Sequence, residues 1–232
     1  MRRFRSDALV ISRTNFGEAD RILTFLTPNH GKVRGIAKGV RKPKSKLAGG
    51  IELFSVCDLL FGVGKSEIYT VVSTRLKEHY GNITKDIDRV NSAYEFIRLI
   101  NKSTADSPES AYYELLKSGL AALNDLELEP QITALWFNMQ LLKLSGHAPN
   151  LRTDASGQKL AASASYNFHL DRMRFTPEKN RQGSYSANHI KFMRVGFDAA
   201  KPQILSKIQN CEKIAKTTEP LVQSMLNTFV QI

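Results

Sequence analysis

Positive charge is concentrated between Gly31 and Lys46. These 16 residues contain no acid and seven cations, at Lys32, Arg34, Lys38, Arg41, Lys42, Lys44 and Lys46. Such a density suits a polyanion whose phosphates recur along a line, as they do in a nucleic acid. A solvated edge strand protected by lysines is the alternative, but that role needs far fewer charges of one sign. The segment therefore predicts a polyanion-binding surface.

The residue pattern changes in the middle of this segment. If residues 32–40 form a strand, a period of two places alternate residues on opposite faces. One face then carries Lys32, Arg34, Ile36 and Lys38. The other carries residues small enough for close packing, Val33, Gly35, Ala37 and Gly39. Residues 41–46 consist of cations, Pro43 and Ser45, which predicts an exposed loop.

The sequence lacks the patterns that common enzyme classes need. It has no Gly-x-x-x-x-Gly-Lys-Ser/Thr loop, so a Walker-type nucleotide site is excluded. The histidines are dispersed, at His30, His79, His147, His169 and His189. A two-metal nuclease, the enzyme alternative, would need several carboxylates converging in the basic region, where the acids are scattered. We therefore expect a binding protein with no catalytic residues, no metal and no cofactor.

The charge of the whole chain also indicates a polyanion as binding partner. The 232 residues carry a net charge of +11. Residues 1–80 hold 15 Lys and Arg against 7 Asp and Glu, so most of the excess lies in the N-terminal third. Two cysteines form no disulfide framework, and no export signal or membrane span is visible. We therefore expect a cytoplasmic protein that binds nucleic acid through its N-terminal third.

Apolar periodicity predicts an α+β protein in two domains, residues 1–80 and 81–232. Five short strands are expected, at residues 8–13, 21–26, 32–40, 51–61 and 67–74. Five strands in so short a length indicate a small barrel, either an oligonucleotide-binding (OB) fold or an SH3-like one, and we favour the OB fold. We expect its aromatic residues to be core rather than base-stacking, at Phe25, Phe54, Phe61 and Tyr69.

Beyond about Thr84 the apolar period becomes 3.6, which predicts a helical domain. Helices are expected to begin at Ser107-Pro108, at Glu129-Pro130 and at Pro220, because proline favours the first helical position. Trp136 lies in the middle of one helix and is expected in the core. Residues 150–190 are rich in Ser, Ala and Asn and predict a small inserted hairpin around Asp171.

Three segments carry a resemblance to the bacterial recombination mediator RecO family. They are Asn15-Phe16-Gly17-Glu18-Ala19-Asp20, Ala37-Lys38-Gly39-Val40-Arg41 and Leu59-Leu60-Phe61. The resemblance implies an OB barrel, a helical bundle and a small segment that is a zinc ribbon in many members. It also implies a protein that binds single- and double-stranded DNA, anneals complementary strands and works with RecR. Further implied partners are single-stranded DNA-binding protein and, indirectly, the RecA recombinase.

One departure from the family concerns the ribbon. Many members have two Cys-x-x-Cys pairs there, whereas this chain has Thr153, Ser156 and Ser186 at the corresponding places. A structural zinc site prefers four sulfur or nitrogen ligands. This segment offers at most His189 and the oxygen ligand Asp154, and a site built from His147, His169 and His189 is the less favoured alternative. We therefore predict a degenerate, metal-free ribbon.

The predicted DNA-binding residues are the seven cations of residues 31–46, with Arg13 and Arg21 as flanking contacts. An RNA-binding OB module joined to a helical protein-interaction domain is the competing hypothesis, because DNA and RNA present the same phosphate. The tails of single-stranded DNA-binding proteins are acidic and end in apolar residues. We expect them to dock on the helical domain, beside Lys117, Lys143, Lys191, Arg194 and Lys201.

Overall fold

The structure, a computed structural model, describes residues 2–104, 110–179 and 182–230. Its contacts divide the chain into two compact units, Met1–Asp125 and Leu126–Ile232. The first unit contains a barrel and two helices, and the second contains further helices and a small sheet. The structural division thus falls after Asp125, whereas the predicted domain boundary is at residue 80. Residue 80 marks the place where the strands of the first unit are followed by its helices.

Five strands form the barrel of the first unit. They are β1 (Arg2–Phe16), β2 (Asp20–Thr27), β3 (Gly31–Ala37), β4 (Ser55–Val63) and β5 (Tyr69–His79). The strands close in the order β1-β2-β3-β5-β4, and β4 pairs back to β1. All pairs are antiparallel except β3 with β5. This arrangement confirms the predicted five-stranded OB barrel and the α+β class.

The alternation predicted for β3 is present. Val33, Gly35 and Ala37 are buried in the barrel core, whereas Lys32 and Arg34 lie on the outer face. A Cβ atom on Gly35 would lie 3.1 Å from Val71 Cγ2 and 3.2 Å from Phe25 Cε2. The core therefore leaves little room for a side chain at residue 35, because protein interiors are packed to nearly crystalline density.

Two predicted strand boundaries are wrong. β3 ends at Ala37 rather than Val40, because Gly39 has a positive φ of 64° that belongs to a turn. Lys38 therefore lies in the turn and not on the strand. β4 begins at Ser55 rather than Ile51, because Phe54 has a φ of 54° and interrupts the extended backbone. The predicted core aromatics Phe25, Phe54 and Phe61 are buried, and Tyr69 is partly buried.

The helices of the first unit are α1 (Ile87–Ser103) and α2 (Ser110–Asn124). Asp86 caps α1 by accepting a hydrogen bond from the backbone N–H of Arg89. The buried Arg89 guanidinium donates to the carbonyls of Leu123, at 2.7 Å, and Asp125, at 2.9 Å, and so binds the end of α2. The start predicted for α2 at Ser107-Pro108 lies outside the described residues.

The second unit contains α3 (Pro130–Leu144), α4 (Ala187–Asp198), α5 (Gln203–Ser206) and α6 (Cys211–Phe229). Trp136 is 2% exposed and its Nε1 donates to the Ala199 carbonyl at 2.9 Å, which confirms its predicted place in the core. The start predicted for the last helix is wrong, because Pro220 lies inside α6. Apolar residues on both sides of it are buried on one face, including Ala215, Leu221 and Met225.

A small sheet is inserted between α3 and α4. Its strands are β6 (Ser165–His169), β7 (Arg174–Pro177) and β8 (Tyr185–Ser186), in the order β7-β6-β8. Between β6 and β7 the chain makes a 3₁₀ turn at Leu170–Arg172 and a left-handed residue, Met173. The hairpin predicted around Asp171 is confirmed, and β8 extends it to three strands.

Candidate nucleic-acid interface

The outer face of the barrel presents the cations of β3 in register with its neighbours. Arg34 lies opposite Thr24 of β2, which in turn lies opposite Ser12 of β1. Cross-strand partners share a face of the sheet, so these side chains form one row. Arg34 is exposed, whereas Lys32 Nζ donates to the Asn101 carbonyl at 3.2 Å. The strand thus presents one exposed guanidinium and one ammonium held against the end of α1.

The basic loop, residues 38–46, carries the remaining predicted cations. Its exposed side chains are Lys38, Arg41, Lys42, Lys44 and Lys46. The loop is anchored at its start to the β1–β2 turn. The backbone N–H of Gly39 donates to Asp20 Oδ1 at 2.7 Å, and that of Arg41 donates to the Ala19 carbonyl at 2.9 Å. The Arg41 guanidinium also donates to the Gly17 carbonyl at 3.3 Å.

The two flanking arginines, Arg13 and Arg21, each contact another side chain of the first unit. Arg13 forms an ion pair with Glu52, with 3.1 Å between Nη1 and Oε2. Arg21 Nε donates to Asn15 Oδ1 at 3.2 Å. Arg21 lies opposite Ala37, the last residue of β3 before the basic loop. Arg13 lies opposite Leu23, farther from the loop, and its charge is partly balanced by Glu52. Their role in DNA binding stays a prediction.

Sequence reasoning missed a groove at the opposite end of β3. Pairing of β3 with β5 consists of Gly35 with Tyr69 and Ile36 with Thr70, so the first half of β3 borders an opening. The opening has a volume of about 900 Å³. Its lining includes four cations and three rings, at Arg2, Arg3, Lys32, Arg34, Phe4, His30 and Tyr69. Phe4 packs on His30 with ring centroids 4.5 Å apart.

The three arginines at the N-terminus were the available signal for this groove, but only two of them line it. Arg5 instead forms an ion pair with Asp58, and its Nε lies 2.7 Å from Oδ1. This hydrogen bond to Arg5 holds the pKa of the Asp58 carboxyl below its usual range. The sequence alone did not distinguish Arg5 from Arg2 and Arg3. The strand register does, because it pairs Arg5 with Leu60 of β4, two residues from Asp58.

Two polar side chains of the ribbon-like insertion, Asp154 and His189, accept hydrogen bonds from residues close to them in the chain. Asp154 is 5% exposed, and its Oδ1 accepts hydrogen bonds from the Ser156 hydroxyl at 2.7 Å and from the N–H groups of Ser156 and Gln158. His189 Nδ1 accepts from the Ser186 N–H at 3.0 Å and so caps α4. Within residues 2–104, 110–179 and 182–230, no three His, Cys, Asp or Glu side chains are grouped to hold a metal.

No helix in the described part of the chain is long and apolar enough to cross a membrane.

Comparison with known proteins gives one consistent family. The family model described as Recombination protein O N terminal matches residues 1–80, and that described as Recombination protein O C terminal matches residues 84–194. The chain is 37% identical over 157 residues to a DNA repair protein RecO from Moorella thermoacetica, covering 67% of this chain and 58% of the relative. It is 36% identical over 165 residues to one from Dehalococcoides mccartyi, covering 70% and 64%. The alignment thus spans less than two thirds of these two relatives.

Proposed function

Because the chain belongs to the recombination protein O family, we propose that it acts as a recombination mediator in DNA repair. In this role it binds single- and double-stranded DNA and anneals complementary strands. It also helps to load RecA onto DNA coated by single-stranded DNA-binding protein, and it works with RecR. We place this activity in the cytoplasm, at the nucleoid.

The observation that carries the proposal is the continuity of exposed cations from the outer face of β3 into the anchored basic loop. Arg34 and the loop lysines occupy an OB barrel, a fold suited to oligonucleotides. Two complementary strands repel each other through their phosphates. A cationic surface that holds both of them lowers this repulsion without consuming a nucleotide, because it replaces condensed counterions.

For the acidic, apolar tail of single-stranded DNA-binding protein we propose a site in the second unit. Lys143 donates to the Phe197 carbonyl at 2.9 Å, and Arg194 donates to the Leu151 carbonyl at 2.6 Å, so both are engaged internally. Lys191 is exposed beside a depression of about 370 Å³ whose lining includes Val195, Ile208 and Ile214. A cation next to an apolar depression matches the chemistry of the tail.

An annealing assay with two complementary oligonucleotides tests the main proposal. The full chain should accelerate duplex formation without nucleotide, both on bare strands and on strands coated by single-stranded DNA-binding protein. A variant with Arg34, Lys42 and Lys44 changed to Ala should be slower. Failure of the unaltered chain to accelerate annealing would contradict the proposal, and tighter binding to RNA than to DNA of the same sequence would favour the RNA-module alternative.

The tail site has its own test in the full chain. A fluorescent tail peptide should bind, and Lys191→Glu should weaken binding through charge repulsion. Lys159→Glu, a matched change at an exposed lysine of the same unit outside the lining of this depression, should leave it unchanged. Equal binding by both variants would move the site away from Lys191.

We also propose that the chain is a binder and not an enzyme. Single- and double-stranded DNA incubated with the chain and Mg²⁺ or Mn²⁺ should stay intact. Metal-stimulated cleavage that co-purifies with the chain would contradict this.

A further inference from the structure

A phenylalanine at the end of β1 is unusually exposed for its size. Phe16 is 53% exposed, although burial of a phenylalanine side chain is strongly favourable. It is the last residue of β1 and lies directly opposite Asp20, the first residue of β2. A large ring is therefore presented to solvent beside the turn to which the basic loop is anchored.

The register places Phe16 on the same outer face as Arg34. Thr14 lies opposite Ile22, which lies opposite Ile36, and this row falls between Phe16 and the row that contains Arg34. Neighbouring strands are about 4.8 Å apart and residues rise about 3.3 Å along a strand. Phe16 and Arg34 are thus separated by roughly 13 Å along the strands and roughly 10 Å across them. The partly buried Ile22 and Ile36 make the surface between them partly apolar.

Hydrogen bonds place one cation, Arg41, beside this ring and anchor the start of the basic loop. The Arg41 guanidinium donates to the carbonyl of Gly17, the residue that follows Phe16, at 3.3 Å. Asp20, the cross-strand partner of Phe16, accepts from the Gly39 N–H at 2.7 Å. The acidic neighbours are Asp20, already engaged, and the exposed Glu18. An exposed ring and an apolar strip thus share the outer face of the barrel with Arg34, and the Arg41 guanidinium is held at the residue that follows the ring.

From this arrangement we propose that Phe16 is a base-stacking residue that makes the barrel prefer single-stranded over double-stranded DNA. The proposal rests on the DNA binding proposed above and assigns it a specificity-determining residue. An unpaired base stacks on the Phe16 ring, its neighbours cross the Ile22–Ile36 strip, and phosphates reach Arg41 and Arg34. In a duplex the bases are stacked on one another, so only the phosphates are available to this surface.

The test is a binding titration of the full chain, at one salt concentration, with an oligonucleotide and with the corresponding duplex. Phe16→Ala should weaken single-strand binding about 5- to 140-fold, the range expected for loss of one base–aromatic stack. Duplex binding should change by less than about twofold, because electrostatic contacts are unaltered. Phe16→Tyr keeps the ring and should restore the preference. Leu76→Ala removes a comparable apolar side chain, 40% exposed on β5, and should have no effect.

A second arm separates stacking from a change in folding. Abasic residues in the oligonucleotide should weaken binding by the unaltered chain but have little further effect on Phe16→Ala. Equal losses on single strands and duplex, or no loss, would overturn the proposal. The proposal would also be overturned if Phe16→Ala kept its DNA binding but lost the binding of a protein partner. Phe16 would then be a protein contact. If the unaltered chain binds no DNA, the proposed function fails as well. If it binds and anneals while Phe16→Ala does so equally, only the role of Phe16 fails.

Discussion

The carboxylate of Asp20 accepts a hydrogen bond from the backbone N–H of Gly39, with 2.7 Å between oxygen and nitrogen. These residues belong to two of the segments that carry the family resemblance, residues 15–20 and 37–41. The contact occurs where Gly39 adopts a φ of 64° and turns the chain out of β3. The basic loop therefore leaves the barrel in a direction set by the β1–β2 turn.

Removing this contact should impair DNA binding even though it removes a negative charge. Asp20→Ala should lower the free energy of unfolding by about 1.5–3 kcal/mol, since a hydrogen bond to a charged group is lost. The Gly39 and Arg41 amides should exchange faster with solvent, and single-strand affinity should fall. Glu18→Ala removes the same charge from the same turn and should leave affinity equal or higher. Tighter binding by both variants would show that charge alone matters here.

The loop lysines should account for part of the salt dependence of binding. Each phosphate contact to a single strand contributes about 0.7 to the slope of log affinity against log salt. Lys42→Ala with Lys44→Ala should therefore reduce the slope by about 1.4, with thermal stability changed by less than about 0.5 kcal/mol per site. Lys213→Ala with Lys216→Ala changes net charge equally at exposed positions of α6. An unchanged slope in the loop variant would place the phosphates elsewhere.

A branched side chain at residue 35 should lower the free energy of unfolding of the barrel. Gly35→Val would place methyl groups against Val71 and Phe25, whose nearest atoms would lie only 3.1 and 3.2 Å from a Cβ atom at this position. Overpacking of this kind costs about 1–3 kcal/mol, to be measured by urea unfolding. Gly49→Val is the matched control, because nothing lies within 4 Å of its Cβ position. Equal stability of the two variants would show that the barrel expands at no cost.

Asp154 should make the ribbon sensitive to acid. Hydrogen bonds from the Ser156 side chain and nearby backbone N–H groups lower the pKa of its carboxyl below the usual value. The folded-state pKa is then below the unfolded value of about 3.9, so the stabilisation is complete above that value and is lost as pH falls through the folded pKa. Protection of the Ser156 and Gln158 amides should fall in that range. Asp154→Asn should remove this pH dependence, and Asp171→Asn, at an exposed carboxylate, should not.

The ribbon should also fold without zinc. Its Ser156 and Ser186 hydroxyls hydrogen-bond to Asp154 and His189, the two side chains that were the remaining ligand candidates. Elemental analysis of chain purified without chelator should find far less than one zinc per chain. EDTA should leave the melting temperature unchanged. A stoichiometric metal, or a lower melting temperature in EDTA, would mean that these groups rearrange around an ion.

Local patterns in the sequence determined the elements that carry the site. Alternation within residues 32–37 predicted both the exposed cations and the small core-facing residues, because a strand has a period of two whatever its surroundings. Proline was informative at Pro130, the first residue of α3, and misleading at Pro220 inside α6. Its local preference for a helix start was outweighed there by the apolar face buried on both sides of it.

The arrangement of those elements was decided only by tertiary structure. The groove at Arg2 and Arg3, the contact of Asp20 with Gly39 and the outer face shared by Phe16 and Arg34 all depend on which strands pair and in which register. A shift of one residue would move each side chain to the opposite face. The sequence determined which residues are cationic, aromatic or small, since these are local properties. Barrel closure decided which of them meet, because it joins residues far apart in the chain whose pairing no local pattern encodes.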